Sequence, residues 1–151
     1  MVIQTEIQLQ EQLILEHLKK LNSAEKSFIP FVRHVWPDFI SGYHHRKIAK
    51  KFEDIRDGKI KRLIVNMPPR HTKSEFASFL FPSWLVGNNP KLKIIQTTHN
   101  TELAVRFGRK VRDLIADPVY TEVFPETDLK QDSQAAGRWE TSAGGEYFAA
   151  G

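Results

Sequence analysis

The stretch Leu63 to Ser74, LIVNMPPRHTKS, constrains this chain more than any other. Leu63-Ile64-Val65 is a short apolar run that reads as a buried strand. Pro68-Pro69 break the run, and Lys73-Ser74 arrive just as a helical pattern begins at Glu75. Strand, tight loop, Lys-Ser, helix is the order of a phosphate-binding loop, whose consensus is G-x-x-x-x-G-K-[ST]. Aligned on Lys73-Ser74, the consensus glycines fall at Met67 and Thr72, so both are missing. The charged end keeps its logic. The first turn of the helix would offer unpaired N–H groups to phosphate oxygens, Lys73 would reach the β and γ phosphates, and the Ser74 hydroxyl would ligate Mg²⁺. Arg70 and His71, at the loop tip, would lie close to phosphate as well. The expected ligands are ATP and Mg²⁺, and the candidate nucleotide-binding residues are Pro69, Arg70, His71, Thr72, Lys73 and Ser74.

The departures from consensus have physical consequences. Thr72 is β-branched, and a left-handed backbone angle there is strained. Pro68 and Pro69 stiffen the approach and remove two N–H donors. Either the loop takes a different path, or its neighbourhood enforces the strain. The competing reading is a proline turn leading into a helix with an exposed Lys73.

Composition sets the bounds around this stretch. A chain of 151 residues, 40% hydrophobic, has the material for one core. Cysteine is absent, which excludes disulfide frameworks, thiolate zinc sites and cysteine nucleophiles and fits a reducing compartment. No apolar run is long enough to span a bilayer, and the N-terminus MVIQTEIQLQEQ carries acids where a signal peptide carries bases. A soluble, intracellular protein with no membrane partner is expected. The net charge is +4, with bases concentrated at His44-His45-Arg46-Lys47, Lys50-Lys51, Lys59 to Arg62, and Arg106 to Arg112. Such clusters are compatible with nucleic acid or phosphate, but with Glu53, Asp54, Asp57 and Asp113 interleaved, charge alone favours a solvated helix face.

Apolar periodicity predicts a helix over residues 5 to 21, on Ile7, Leu13, Ile14, Leu18 and Leu21. Asn22 and Glu25 resemble a capping pair for a second helix, which carries Phe28, Phe31, Val32, Val35 and Trp36 and ends at Pro37. A third runs from Tyr43 to about Ile55, stopped by Asp57-Gly58. Phe76, Phe79, Leu80, Trp84 and Leu85 mark a fourth, which Pro82 should kink. Leu92 to Thr98 reads as a strand, and Asn100 or Thr101 caps a helix carrying Leu103, Ala104, Phe107, Val111, Leu114 and Ile115. Val119 to Phe124 is a short helix or strand, residues 125–136 a polar loop, and Arg138–Thr141 with Glu146–Ala149 a hairpin across Ser142 to Gly145. The order strand, loop, helix, strand, helix is a βαβ unit, whose two strands should lie parallel through a right-handed crossover.

The run MPPRHTKSEFASFLFPSWLVGNNPKLKIIQTTHN resembles the ATPase domain of tailed-phage terminase large subunits, the motors that package DNA. The resemblance extends through SFIPFVRHVWPDFISGYHHRKIAKKF, AVRFGRKVRDLIADPVYTEVFP and GRWETSAGGEYFAAG, most of residues 27 to 151. Members commonly carry glycine where Thr72 stands. The resemblance implies an α/β fold: a P-loop NTPase-like parallel sheet with flanking helices, incomplete, preceded by a helical N-terminal segment. Residues 1–40 would be that segment and residues 41–151 a partial ATPase core holding only its Walker A half. Lys73 and Arg70 would take the catalytic roles, and Ser74 would hold Mg²⁺. Tyr43 and His44 lie where an adenine-contacting segment is expected, although solvent-facing histidines at a helix start explain them as well. Thr97, Thr98 and His99 end the second strand, and their own capping hydrogen bonds are their simplest role.

Motors of this kind need a further apolar strand ending in Asp and Glu to hold Mg²⁺ and activate water. No such run occurs in this sequence, nor does a nuclease domain. The chain is therefore expected to be the amino-terminal piece of a packaging motor. The implied partners are double-stranded DNA, the portal protein, the small terminase subunit and further copies in a ring. The implied place is the cytoplasm of an infected bacterium, transiently at the procapsid portal. Two other readings stand beside it. One is an inactive basic DNA- or portal-binding module using Arg106, Arg109, Lys110 and Arg112; the other is a fragment of a helicase-type ATPase.

Overall fold

A computed structural model describes residues 2–151, with side chains from Gln4 onward. The chain is mixed α/β: helices flank one four-stranded sheet, whose strand order is β1-β4-β3-β2. The strands are β1 (Lys93–Thr97), β2 (Leu129–Ala135), β3 (Arg138–Thr141) and β4 (Glu146–Ala150). Strand β1 lies parallel to β4, from Lys93 opposite Glu146 to Thr97 opposite Ala150. The other two pairings are antiparallel. The expected β3–β4 hairpin forms, turned by Gly144 at φ +93, which only glycine adopts without strain.

Three sequence expectations about the sheet are corrected. Leu63–Val65 is not its first strand. Residues 62–67 alternate exposed and half-buried as a strand would, but among the described residues they make no backbone–backbone hydrogen bond. Strand β1 takes β4 as its parallel neighbour instead, so the predicted parallel pairing of the βαβ unit is absent. Nor is residues 125–136 simply a polar loop, because Leu129–Ala135 pairs with β3. Its register breaks between Leu129 and Gln134, and most of its side chains are exposed. A polar, irregular edge strand lacks the alternating apolar signature by which strands are read from sequence.

The helices are α1 (Val2–Lys26), α2 (Phe28–Val35), α3 (Tyr43–Arg56), α4 (Phe81–Asn88), α5 (Thr101–Ile115) and α6 (Pro118–Thr121), with a π-helical stretch Glu75–Leu80 leading directly into α4. Helix α1 runs through Asn22, so the capping pair expected there is not used. Helix α2 starts at Phe28, whose N–H donates to Glu53 Oε1 of α3 at 3.0 Å, a carboxylate at the positive end of the helix. Pro30 fits because first-turn residues have no intrahelical acceptor to lose. Asn100 caps α5 as expected, accepting from Leu103 N–H at 2.8 Å. Before Pro82 the helix is not α but π. The Phe81 N–H reaches Phe76 O, five residues back, which is how the chain accommodates a proline in mid-helix.

The core has two centres. On the sheet side Trp139 stacks on Tyr147 (centroids 4.9 Å apart, planes 6° apart), and Trp139 Nε1–H donates to Gly108 O of α5 at 3.1 Å. A Cβ on Gly108 would meet Ala136 O at 2.6 Å, so the helix crosses the sheet here at a distance only glycine permits. On the helical side Phe28 is fully buried, edge-on to Phe52, Phe76, Phe81 and Trp84 at 5.3 to 6.1 Å. Phe28→Ala should cost about 3–5 kcal/mol, read from the urea midpoint. Ile64→Ala, at a side chain 86% exposed, should stay within about 0.5 kcal/mol. Equal effects of the two substitutions would contradict this packing.

Candidate phosphate-binding loop

The loop from Pro68 to Ser74 connects the unpaired stretch 62–67 to the π-helical start of the next helix. Two of its residues, Arg70 at φ +64 and Thr72 at φ +59, are the only non-glycine residues with positive φ among those described. Thr72 thus holds the left-handed angle that glycine supplies in the consensus, although a β-branched residue there costs of order 1–3 kcal/mol. The other consensus position, Met67, has no such angle and is half-buried. The helix closes its first backbone bond from Phe76 N–H to Thr72 O at 2.9 Å. That leaves the N–H groups of Lys73, Ser74 and Glu75 without a backbone acceptor.

A histidine enforces the strain. His45, in the first turn of α3, is buried against the rings of Phe39 and Phe76 (centroids 4.9 and 5.1 Å). Its Nδ1 accepts the Gly42 N–H at 2.9 Å, which fixes the proton on Nε2. Nε2–H then donates to Thr72 Oγ1 at 2.6 Å, and the Thr72 hydroxyl donates to His71 O at 2.6 Å. Each link uses the donor the previous one leaves free, so the chain closes only with neutral His45. Burial lowers the His45 pKa, and the neighbouring His44 and His71 push it the same way. The sequence marks this residue only as one of a histidine doublet. It is His45, three residues into the helix, that reaches both the helix start and the loop.

The other expected site residues are placed as follows. Arg70, His71, Lys73 and Ser74 are exposed, as is Pro69, whose carbonyl lies 2.9 Å from His71 Nδ1. No ion pair engages Arg70 or Lys73 among the described residues. The nearest acid along the chain, Glu75, is held by Lys110 of α5 at 2.6 Å. The loop therefore presents uncompensated positive charge beside free N–H groups. Lys73 and Ser74 also border a cleft with Leu63, Val65, Ala77 and Phe81. His44 lies at the edge of the site, its ring 3.8 Å from His45 and 5.6 Å from His71. Tyr43 is 74% exposed and makes no hydrogen bond or ring contact with the loop.

Thr98 Oγ1 donates to Asn100 O, and His99 Nε2 lies 3.1 Å from Asn100 Nδ2, so both belong to the α5 capping turn. The four bases of α5 do not form one free cationic face. Lys110 is tied to Glu75, and Arg112 to Asp113 and Gln134 O; Arg106 and Arg109 remain exposed. Comparison with protein-family models, with curated proteins and with solved structures finds no match to this chain.

The His45 link makes stability depend on acidity with a definite sign. As pH falls below the ordinary histidine value of 6.5, the unfolded chain takes up a proton before folded His45 does. The His45 contribution is therefore complete above that pH and is lost progressively below it. The acid-induced drop in melting temperature should be smaller in His45→Ala than in the parent chain; an identical drop would refute the assignment. Thr72→Gly removes the strain that His45 restrains, so the cost of His45→Ala should shrink in the Thr72→Gly background. A double-mutant cycle should give a coupling of about 0.5–3 kcal/mol, and strict additivity would count against the link.

Proposed function

We propose that the Pro69–Ser74 loop binds the terminal phosphates of ATP with Mg²⁺, and that the chain is the amino-terminal portion of a terminase-type DNA-packaging ATPase. The observation that carries the reading is Thr72. Its backbone takes the glycine-like angle immediately before Lys73-Ser74, at the start of a helix whose first N–H groups are free. Successive N–H groups around left-handed residues form a concavity suited to an anion. The resemblance of most of residues 27 to 151 to terminase ATPase domains supports the same conclusion.

Within this reading each residue has one task. Lys73 supplies a mobile positive charge to the β and γ phosphates, and the N–H groups of Lys73, Ser74 and Glu75 orient their oxygens. The Ser74 hydroxyl, which makes no hydrogen bond among the described residues, would hold the metal. Bound Mg²⁺ would supply the counter-charge that the phosphates need. Arg70, exposed at the loop tip, would lend positive charge to the bound phosphates. His71 lies ring to ring with His44 of α3, at 5.6 Å, beside the loop. No free carboxylate lies on the loop to activate water, so the competence argued from these residues is binding. Coupling of hydrolysis to translocation of double-stranded DNA, with the portal protein, the small subunit and a ring of copies as partners, belongs to the proposed full motor.

The test is Mg²⁺-dependent ATP binding by calorimetry. Lys73→Ala should weaken it at least tenfold, roughly 1.4 kcal/mol, while Thr72→Gly should retain it. Affinity indifferent to Lys73 and to Mg²⁺, or salt-sensitive duplex binding with no ATP binding, would overturn the reading.

A further inference from the structure

The candidate loop is held from outside by one buried side chain. His45 of α3 lies between the rings of Phe39 and Phe76 and donates from Nε2 to Thr72 Oγ1 at 2.6 Å. The Thr72 hydroxyl passes the constraint on by donating to His71 O, also at 2.6 Å. Those two bonds fix more than a side chain. In a trans peptide the carbonyl and the following N–H point in opposite directions. Drawing His71 O toward Thr72 Oγ1, on the His45 side, therefore turns the Thr72 N–H away from His45. That N–H donates to nothing among the described residues. It stands immediately before the N–H groups of Lys73 and Ser74, which also lack a backbone acceptor. The same bonds hold Thr72 at φ +59. Rotation to an ordinary negative φ would swing Arg70 and His71 away from the turn that carries Lys73 and Ser74.

We infer that His45 is a positioning residue for phosphate: through Thr72 it turns the Thr72 N–H outward as a further donor and keeps the loop tip set against Lys73 and Ser74. This role rests on the nucleotide reading and deepens it, because it makes the loop's competence depend on α3. Glycine at position 72 would reach the left-handed angle unaided. Threonine reaches it while α3 is docked and His45 can donate. Apparent affinity scales with the fraction of molecules whose loop is in the binding arrangement. The link also works in one protonation state. Nδ1 must accept the Gly42 N–H at 2.9 Å, so a second ring proton breaks the anchor. Burial opposes that proton, as do His44 of the same helix and His71 of the loop. The other charged groups on the surrounding elements are Asp38, Arg46, Arg70, Lys73 and Glu75. Of these, Arg46 bonds Ser41 O and Glu75 is held by Lys110.

Calorimetric titration of the full chain with ATP and Mg²⁺ tests this role. His45→Ala should weaken binding about tenfold, the factor that releasing a strained backbone angle corresponds to. Because His45 is buried, Thr72→Val supplies the same test from the other end. It keeps the branched shape, leaves the aromatic packing intact and deletes only the hydroxyl link, and it should weaken binding by a similar factor. In the Thr72→Gly background, His45→Ala should change affinity by less than about twofold. A merely structural histidine would cost the same factor in both backgrounds. As pH falls below the ordinary histidine value of 6.5, the parent should lose affinity relative to the Thr72→Gly chain. Protonation of His44, His71 and ATP itself is common to both chains and cancels in that comparison. Equal losses in both backgrounds, indifference to Thr72→Val, or parallel pH profiles would each overturn the role of His45 while leaving the nucleotide reading in place. Absence of Mg²⁺-dependent binding in both the parent and Thr72→Gly would overturn that reading, and this role with it.

Discussion

The fold depends on one aromatic junction, where Phe28 and Phe76 meet. Phe28 brings α2, and Phe76 is the second residue of the π-helical stretch that follows the loop. Their rings are edge to face, 5.3 Å apart. Around them Phe52 of α3 stacks on Phe81 at 4.0 Å, and Phe39 closes on Phe76 at 5.4 Å. Aromatic pairs of this kind contribute about 0.5–1.5 kcal/mol each beyond the area they bury. Their more specific effect is geometric. They fix the helix that carries the loop against the helix that carries His45, and without that registration the 2.6 Å contact to Thr72 could not be held.

Seen this way, the loop is strained because its surroundings are rigid. A left-handed threonine is unfavourable in isolation, and here it is over-determined by a histidine on one side and a buried phenylalanine four residues on. Strain that the surroundings enforce in this manner gathers at functional sites. The π-helical register just behind the loop has the same character. It accommodates Pro82 and leaves Ser83 Oγ to bond Phe79 O at 2.7 Å, so a sequence that would break an α-helix is carried through as one continuous rod.

The sheet and the helical cluster are joined by few but directed contacts. Lys110 of α5 bonds Glu75 and sits 4.5 Å over the Phe79 ring, which links the sheet's covering helix to the helix of the loop. Tyr120 of α6 is fully buried and donates to Ser83 O at 2.8 Å; burial raises its pKa, so it stays a neutral donor. Through these two bonds α5 and α6 bridge the Trp139–Tyr147 centre and the Phe28 centre. The Glu75–Lys110 pair also removes a negative charge from the approach to Lys73.

Local chemistry alone determined much of the chain. Helix α3, stopped by Asp57 and Gly58, strand β1, the Asn100 cap of α5 and the Gly144 hairpin all follow from residues within a turn of one another. Apart from the unused Asn22–Glu25 cap, what failed needed a distant partner. Leu63-Ile64-Val65 has the composition of a buried strand, yet a strand is defined by its neighbour, and β1 pairs with β4 instead. Residues 129–135 have the composition of a loop and are a strand because β3 lies beside them. The stripe of α1 predicted a helix correctly but could not say that the chain would leave it uncovered. Thr72 states the division most clearly. From sequence it was a β-branched residue where a glycine belongs, with either a different path or an enforced one left open. Only the tertiary structure decided for enforcement, because the enforcing atom belongs to His45, far away in sequence and brought within hydrogen-bond reach by the packing of Phe39 and Phe76.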